Sequence, residues 1–577
     1  MARRDGSVHV VTTKRLYKGK LYQTHLLRRS YREGKTVKNE SLGNLSHLPD
    51  PLIELIRRAL RGEAFAPVSQ LFEVTSSRPH GHVQAVRAAM AQLKFEALLG
   101  SRASKERDLV CALVAARILA PHTKLATTRW WHTTTLAEEC SVHEADEDDL
   151  YAAMDWLLGR QRAIEKKLAA RHLGEGSLVL YDVSSSYFEG TTCPLARFGH
   201  NRDGKKGKLQ VNYGLLTDRR GCPVAVSVHE GNTGDPETLW LQLEKLRQDF
   251  RLQTVVLVGD RGMISQKAIE ELKQHEGVAW ITALKSGQIR ALVEGGQLQL
   301  GLFDEKNLFE LSHPDFPGER LIACRNRELA KLRSHKRQSL LEATEQELEH
   351  VKGMVERGRL SGRDKIGLRV GKVVNKYKVA KHFALEIQDQ SFHFHRLEHQ
   401  IAQEAALDGI YVVRTALTQE QMTAPDCVRN YKSLAQVERA FRSLKTIDLK
   451  IRPIHHRLAD RVKSHILVCM LAYYVEWHMR EAWRPLLFAD EDQAAKATRD
   501  PVAAATRSAA AQTKATTHTL DDGSAAHSFS TLQQELATIV RNTCRAPEAP
   551  ETAPFQITTT ANPKQRRALE LLGSIPL

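Results

Sequence analysis

The chain has 577 residues, long enough for several domains with large buried cores. Charged residues make up 26% and aromatic residues 6%, the balance of an ordinary soluble globular protein and not of a fibrous or membrane-embedded one. The net charge of +16 and a pI near 9.4 point to a polyanionic partner, although charge alone fits nucleic acid, ribosomes and membrane surfaces equally.

Residues 1 to about 48 read as basic and strand-rich. Strands are predicted at 7–12, 21–31 and 36–42, the last two flanking the turn Glu33-Gly34-Lys35. Lys14, Arg15, Lys18, Lys20, Arg28, Arg29, Arg32, Lys35 and Lys38 crowd this stretch, and a helix is expected at 51–61. From 80 to 173, apolar residues recur at three and four positions and predict helices at 83–99, 106–119, 124–131 and 148–173. Plain helical packing accounts for each of them better than a DNA-recognition role.

At residue 177 the pattern changes. Strands are expected at 177–184, 210–217, 223–229, 254–259 and 277–283, with helices at 236–250 and 265–275. The run at 254–259 (TVVLVG) is wholly apolar, as in a sheet covered on both faces. This order predicts an α/β fold with a mixed sheet flanked by helices. Residues 286–408 interrupt the rhythm with short strands, a long charged helix at about 328–357 and a basic stretch at 363–381. A strand at 410–415 and helices at about 430–444 and 458–479 resume it. The stretch from about 490 to 528, rich in Ala, Thr and Ser, reads as a flexible linker before a short coda. The expected divisions are 1–78, 79–173, 174–285, 286–408, 409–485 and 486–577.

The eight cysteines are scattered without a C-x-x-C pair or the spacing of a zinc site, which reads as reduced thiols in a cytoplasmic protein. The N-terminus lacks the apolar run of a signal peptide. The longest apolar run, 466–475, is half of the roughly 20 residues that a membrane span requires. It reads as a buried helix, and no membrane partner is expected.

Three acids stand out. Asp182 sits in an apolar strand, where a carboxylate is costly unless paired or bound to a metal, or else faces water. Asp260 follows a strand directly, at the edge where open α/β sheets gather ligands, and also suits a turn or helix cap. Glu438 lies on a helix that can be laid out. With Leu434 at zero, Lys445 falls at about 20°, Glu438 at about 40°, Tyr431 at about 60° and Arg442 at about 80°. Such a stripe suits a metal-bound phosphodiester, the acid holding the cation while the phenol and cations grip phosphate. A surface salt-bridge ladder would look the same. Lys205, Lys206 and Lys208 form a basic turn that fits phosphate or solvent equally. Trp240 and Trp280 are placed for core packing more than for base stacking, and His455 and His456 read as structural.

The strings YDVSSSYFEG (181–190), GDRGM (259–263) and YKSLAQVERAFRSLK (431–445) resemble the DDE transposases of the IS4 superfamily, especially the IS1634 group. Tyr431, Glu438 and Lys445 stand where that superfamily's Tyr–Arg–Glu–Lys signature has its Tyr, Glu and Lys. Leu434 occupies the Arg position, so Arg439 or Arg442 is left to take up phosphate. The likeness covers roughly 175–480, plus an N-terminal section ending in SLGNLSHLP (41–49). It implies an RNase H-like core interrupted by a large α+β insertion at 286–408, with Asp182, Asp260 and Glu438 as catalytic residues and metal ligands. It further implies Mg²⁺ (or Mn²⁺) as cofactor, held as two ions, and double-stranded DNA as partner, both terminal inverted repeats and target.

The expected function is therefore an insertion-sequence transposase in a bacterial cytoplasm, acting as a homodimer on DNA. Arg28, Arg29 and Arg32 are expected to contact the transposon ends, and Tyr431, Arg439, Arg442 and Lys445 the DNA near the acids. Two other functions are weighed against it: an RNase H-like nuclease that does not join strands, and a transposase-derived DNA-binding protein without catalysis.

Overall fold

The computed structural model describes residues 6–63, 65, 72–546 and 553–576. The chain forms two compact units, Met1–Ser77 with Arg541–Thr558, and Arg78–Val540 with Thr559–Leu577. In the first, β1 (Ser7–Tyr17), β2 (Lys20–Glu33) and β3 (Thr36–Asn44) make an antiparallel meander, with a bulge in β2 between Leu27 and Arg28. Helix Asp50–Ala59 starts on Pro51 and buries Ile53. Strand β4 (Glu73–Pro79) joins a separate small sheet completed from the far end of the chain.

The second unit is α/β. Its centre is an eight-stranded sheet made of β5 (Ser177–Tyr187), β6 (Gln210–Asp218), β7 (Pro223–Glu230), β8 (Val255–Val258), β9 (Val278–Ala283), β10 (Leu308–Leu311), β11 (Arg320–Arg325) and β14 (Ile410–Thr415). The strand order is β10-β11-β14-β9-β8-β5-β6-β7. The β5–β8 and β8–β9 pairings are parallel and all the others antiparallel, so the sheet is mixed. All nine residues of β6 and all four of β8 are buried, and β8 accordingly reads as an unbroken apolar run.

Two long helices of the sequence reading are each two helices. The stretch 83–99 breaks into Gly81–Gln92 and Phe95–Leu99 because Lys94 turns left-handed at φ 47°. The stretch 148–173 breaks into Glu147–Leu158 and Gln161–His172 across Gly159 and Arg160. Apolar spacing continues across both breaks, so periodicity alone does not show them. These helices, the sheet and helix Ala459–Ala482 share one core that includes Val110, Leu157, Leu180, Leu257 and Val468. Among the described residues no single helix is long and apolar enough to cross a membrane.

Residues 286–408 divide. Strands β10 and β11 extend the central sheet beside β14. The rest centres on helix Arg327–Glu356, packed against helix Arg363–Tyr377 and the hairpin of β12 (Phe383–Ile387) and β13 (Phe392–Arg396). It has its own core around Leu341, Leu348, Val370, Phe383 and Phe392. The stretch 490–528 is not a linker. It carries helices Gln493–Thr498 and Ala509–Thr517 and buries Val502 and Leu520 in the main core. Helix Pro563–Leu572 docks there too, its Ala568 carbonyl accepting a 2.8 Å bond from the Trp483 indole. Strands β15 (Val540–Arg545) and β16 (Phe555–Thr558) pair with β4 in the order β16-β15-β4. Small residues make this region look unstructured in sequence, yet they pack well wherever an apolar residue interrupts them.

Candidate active site

The parallel register of β5 and β8 sets Leu180 opposite Val258. Asp182 follows two residues later on β5 and Asp260 two residues later, just past the end of β8, and neighbouring strands lie about 4.8 Å apart in a sheet. Asp182 is half-buried between buried Tyr181 and Val183, and one carboxylate oxygen accepts the Val183 N–H at 2.8 Å. Asp260 is exposed where β8 ends. Its Oδ1 accepts the N–H groups of Gly262 (2.9 Å) and Met263 (2.8 Å), which orients the carboxylate. A β-carbon at Gly262 would stand 3.3 Å from that oxygen, so glycine lets the turn close tightly on the acid. Burial pushes the Asp182 carboxyl up to about 7. The charges of Asp260 and Asp235 add to this, while the Val183 N–H and Arg202 oppose it.

The helix expected over 430–444 is Ala424–Lys432 followed by Leu434–Arg442, with Ser433 keeping helical backbone between them, and then a wider π turn at Ser443–Ile447. Val437, Ala440 and Phe441 face inward, and the Phe441 ring meets Tyr213 of β6 edge-on at 5.8 Å. Gly221, at φ 85° in the β6–β7 turn, lets that turn approach so closely that a β-carbon there would lie 2.7 Å from the Gln436 Cβ. Held on the sheet in this way, the helix presents Glu438 to solvent. Burial raises the Tyr431 phenol pKa, and Asp260 and Glu438 both add to the rise while Arg261 opposes it. Asp182 senses Asp260, and Tyr431 senses Asp260 and Glu438, so the three acids occupy one electrostatic neighbourhood.

A cleft of about 840 Å³ opens from this neighbourhood towards residues 327–408. Asp260, Arg261 and Tyr431 line it together with Arg333, Lys336 and Lys378. Two further cations in its wall are neutralised locally, Arg337 by Asp408 and Lys381 by Glu404. Among the described residues Arg261, Arg290, Arg333, Lys336, Lys378 and Lys432 carry no ion pair, so the cleft keeps a positive excess.

Residues 175–475, more than half of the chain and including all three acids, match the family described as transposase DDE domain. The chain belongs to the DDE transposases. Residues 10–68 match the N-terminal domain of IS1634 family transposases, which places this transposase in the IS1634 group. No curated protein matches it. Among solved structures, a piggyBac transposase synaptic complex with hairpin DNA is similar over 69% of this chain and 72% of that one, at 8% identity and a TM-score of 0.32, too distant to inform the site.

The transposase does not keep the four-residue stripe of the helical wheel intact. Arg439 and Arg442 are exposed beside Glu438. Lys445 is buried, because the π turn departs from 100° per residue and swings it inward to Asp203 at 3.0 Å. Asp203 also pairs with Arg452 and accepts the Tyr187 N–H at 2.9 Å, so Lys445 belongs to a buried polar hub and not to a DNA-facing row. Leu434, at the signature's Arg position, packs against the core. On β2, Arg28 and Arg29 are half-buried and Arg32 is exposed. The two-residue alternation of a strand sets Arg28 and Arg32 on one face and Arg29 on the other. Lys208 pairs with Glu189 at 2.8 Å. Trp280 is buried and Trp240 lies against His275, and His456 packs between Tyr151 and His465, all structural settings.

Sequence reasoning missed the Arg202–Asp235 ion pair, whose two charges both act on Asp182, and Arg261 in the cleft wall. Arg261 sits within GDRGM and could have been found there. Arg202 lies in a long loop with no periodic signal.

Proposed function

We propose that this transposase has an RNase H-like core and cuts and joins DNA through Asp182, Asp260 and Glu438, acting as ligands to a pair of divalent cations. The observation that carries the reading is the parallel β5–β8 pairing, whose last pair, Leu180 and Val258, stands two residues before Asp182 and Asp260, with Tyr431 sensing both Asp260 and Glu438 and lining a basic cleft together with Asp260. The fold reading is supported by the first acid lying on the sheet's first strand in chain order, the second just after the fourth, and the third on a later helix.

The donor set consists of carboxylate oxygens, which suits hard cations such as Mg²⁺ or Mn²⁺. Burial and the charges of Asp260 and Asp235 push the Asp182 carboxyl up to about 7, and a cation beside it would favour its carboxylate. A pair of such ions held by these carboxylates would supply activation of a water or a DNA 3′-hydroxyl and stabilisation of the leaving oxygen. Asp260, fixed by two backbone N–H groups, orients its ligand oxygen, and Glu438 supplies the third from the helix. The Tyr431 hydroxyl and Arg261, Arg439 and Arg442 grip phosphate oxygens around the scissile bond. Terminal inverted repeats bind through phosphate contacts that include Arg28, Arg29 and Arg32, and two copies of the chain act together on the paired ends.

Product analysis tests the reading. The full chain is incubated with DNA carrying the element's own ends, a target plasmid and Mg²⁺. Ends cut and joined through their 3′-hydroxyls to target support it. Cutting without joining would make the protein a nuclease, and binding without cutting in either Mg²⁺ or Mn²⁺ would make it a DNA-binding derivative.

A further inference from the structure

A second cluster of potential ligands lies away from the three acids, at the N-terminal end of β5, where Val179 pairs with Asp218 before the β6–β7 turn. His172 is the last residue of helix Gln161–His172, Cys222 sits in the turn, and His478 comes from helix Ala459–Ala482. Their ligand atoms all lie within 4.8 Å of one another. The Cys222 Sγ is 3.9 Å from His172 Nε2 and 3.8 Å from His478 Nε2.

We propose that His172, Cys222 and His478 bind one thiophilic transition-metal cation, of which Zn²⁺ suits the donor set best, and that this ion staples two helices to the sheet. A zinc ion with Zn–S of about 2.3 Å and Zn–N of about 2.0–2.1 Å sets its sulfur and nitrogen ligands roughly 3.6–3.8 Å apart for tetrahedral to trigonal angles. Both sulfur–nitrogen distances meet that separation to within a few tenths of an ångström.

The surroundings favour ligation. The turn that carries Cys222 is pinned by Asp218, whose Oδ1 accepts the N–H groups of Arg220 (2.8 Å) and Cys222 (2.9 Å). Tyr474 and Trp477 pack edge-on against the His478 ring and fix its orientation, while the Tyr474 hydroxyl, 3.1 Å from His172 Nε2, would give up that nitrogen when the ion binds.

The test uses the full chain with Asp182→Asn, Asp260→Asn and Glu438→Gln, which removes carboxylate-bound metal from the readout. After chelation and dialysis the protein is titrated with Co²⁺, then with Zn²⁺ in an excess of Mg²⁺. The expected result is a sulfur-to-cobalt charge-transfer band that saturates at one ion per chain and is displaced by Zn²⁺ but not by Mg²⁺. Cys222→Ser should abolish the band and His478→Gln should weaken it. Thermal unfolding should shift upward on Zn²⁺ addition in the parent and not in Cys222→Ser. Should Cys222→Ser fail to fold, the parent protein still decides. The absence of a charge-transfer band at saturating Co²⁺ overturns the proposal, as does a band unchanged by His478→Gln.

Discussion

At the scale of single residues, burial acts on Asp182. Its folded pKa, about 7, lies above the ordinary 3.8, so the metal-free folded state holds a proton that the unfolded chain releases. Its contribution to stability is therefore complete below about pH 4 and is lost as pH rises through 7. Glu476, raised by burial to about 7, has the same sign and window, so the comparison must be between variants and not within the wild type alone. Asp182→Asn, unfolded by urea in the presence of chelator, should match the wild type near pH 4 and exceed it near pH 8, on the order of 2–4 kcal/mol. A wild-type advantage at pH 8 would show that Asp182 is not strained by its setting. Saturating Mg²⁺ should shrink the difference, because the cation favours the carboxylate. Asp182 and Asp260 are legible in the sequence because each interrupts or ends an apolar run. The inward turn of Lys445 is not, because a π turn changes the angle per residue without leaving a mark in composition.

At the scale of elements, the Glu438 helix is positioned by the π turn at its C-terminal end. Ser443 holds that turn, its hydroxyl bonding Asp448 at 2.5 Å and Glu476 at 2.9 Å, while Arg480 pairs with both of those acids. Beside it Asp203, with 2% of its side chain exposed, pairs with both Lys445 and Arg452. Removing one member of such a group leaves an uncompensated buried charge. Asp203→Ala strands two cations and should cost about 3–5 kcal/mol in urea unfolding. Lys445→Ala, which leaves Arg452 on Asp203, should cost clearly less. Equal costs would mean that Arg452 does not share the acid. Nothing in the amino-acid pattern marks this hub, since its members are separated by up to 249 positions, Asp203 to Arg452. Strands, by contrast, are legible almost to their ends where, as in β8, an apolar run is bounded by turns. The helix breaks at Lys94 and Gly159 are hidden because the same face stays buried on both sides.

At the scale of the whole molecule, a net charge of +16 includes two basic surfaces, the β1–β3 meander and the cleft beside Asp260. If both hold phosphates, removing any one phosphate contact should flatten the log–log dependence of binding on salt by roughly 0.9 for duplex DNA. Arg333→Ala, Lys336→Ala and Lys378→Ala together should lower the slope and slow cleavage. Arg28→Ala, Arg29→Ala and Arg32→Ala should lower the slope and weaken binding to the ends, with Arg29 contributing separately because it faces the other side of β2. Fluorescence anisotropy across a salt series checks both, and an unchanged slope in either set would remove that surface from the DNA path. The α/β class and the mixed sheet are legible in the order of apolar segments. The docking of 490–577 is not, because sparse apolar residues among small ones give no period. The central claim rests on the third acid, which stands on a helix far along the chain from the other two. The most direct test is the rate at which the Glu438→Gln protein cleaves the element's own ends in Mg²⁺. The swap keeps shape and removes the charged ligand, so the expected result is near-complete loss of cleavage with binding to the ends retained or tightened. Cleavage at the wild-type rate would contradict the three-acid centre.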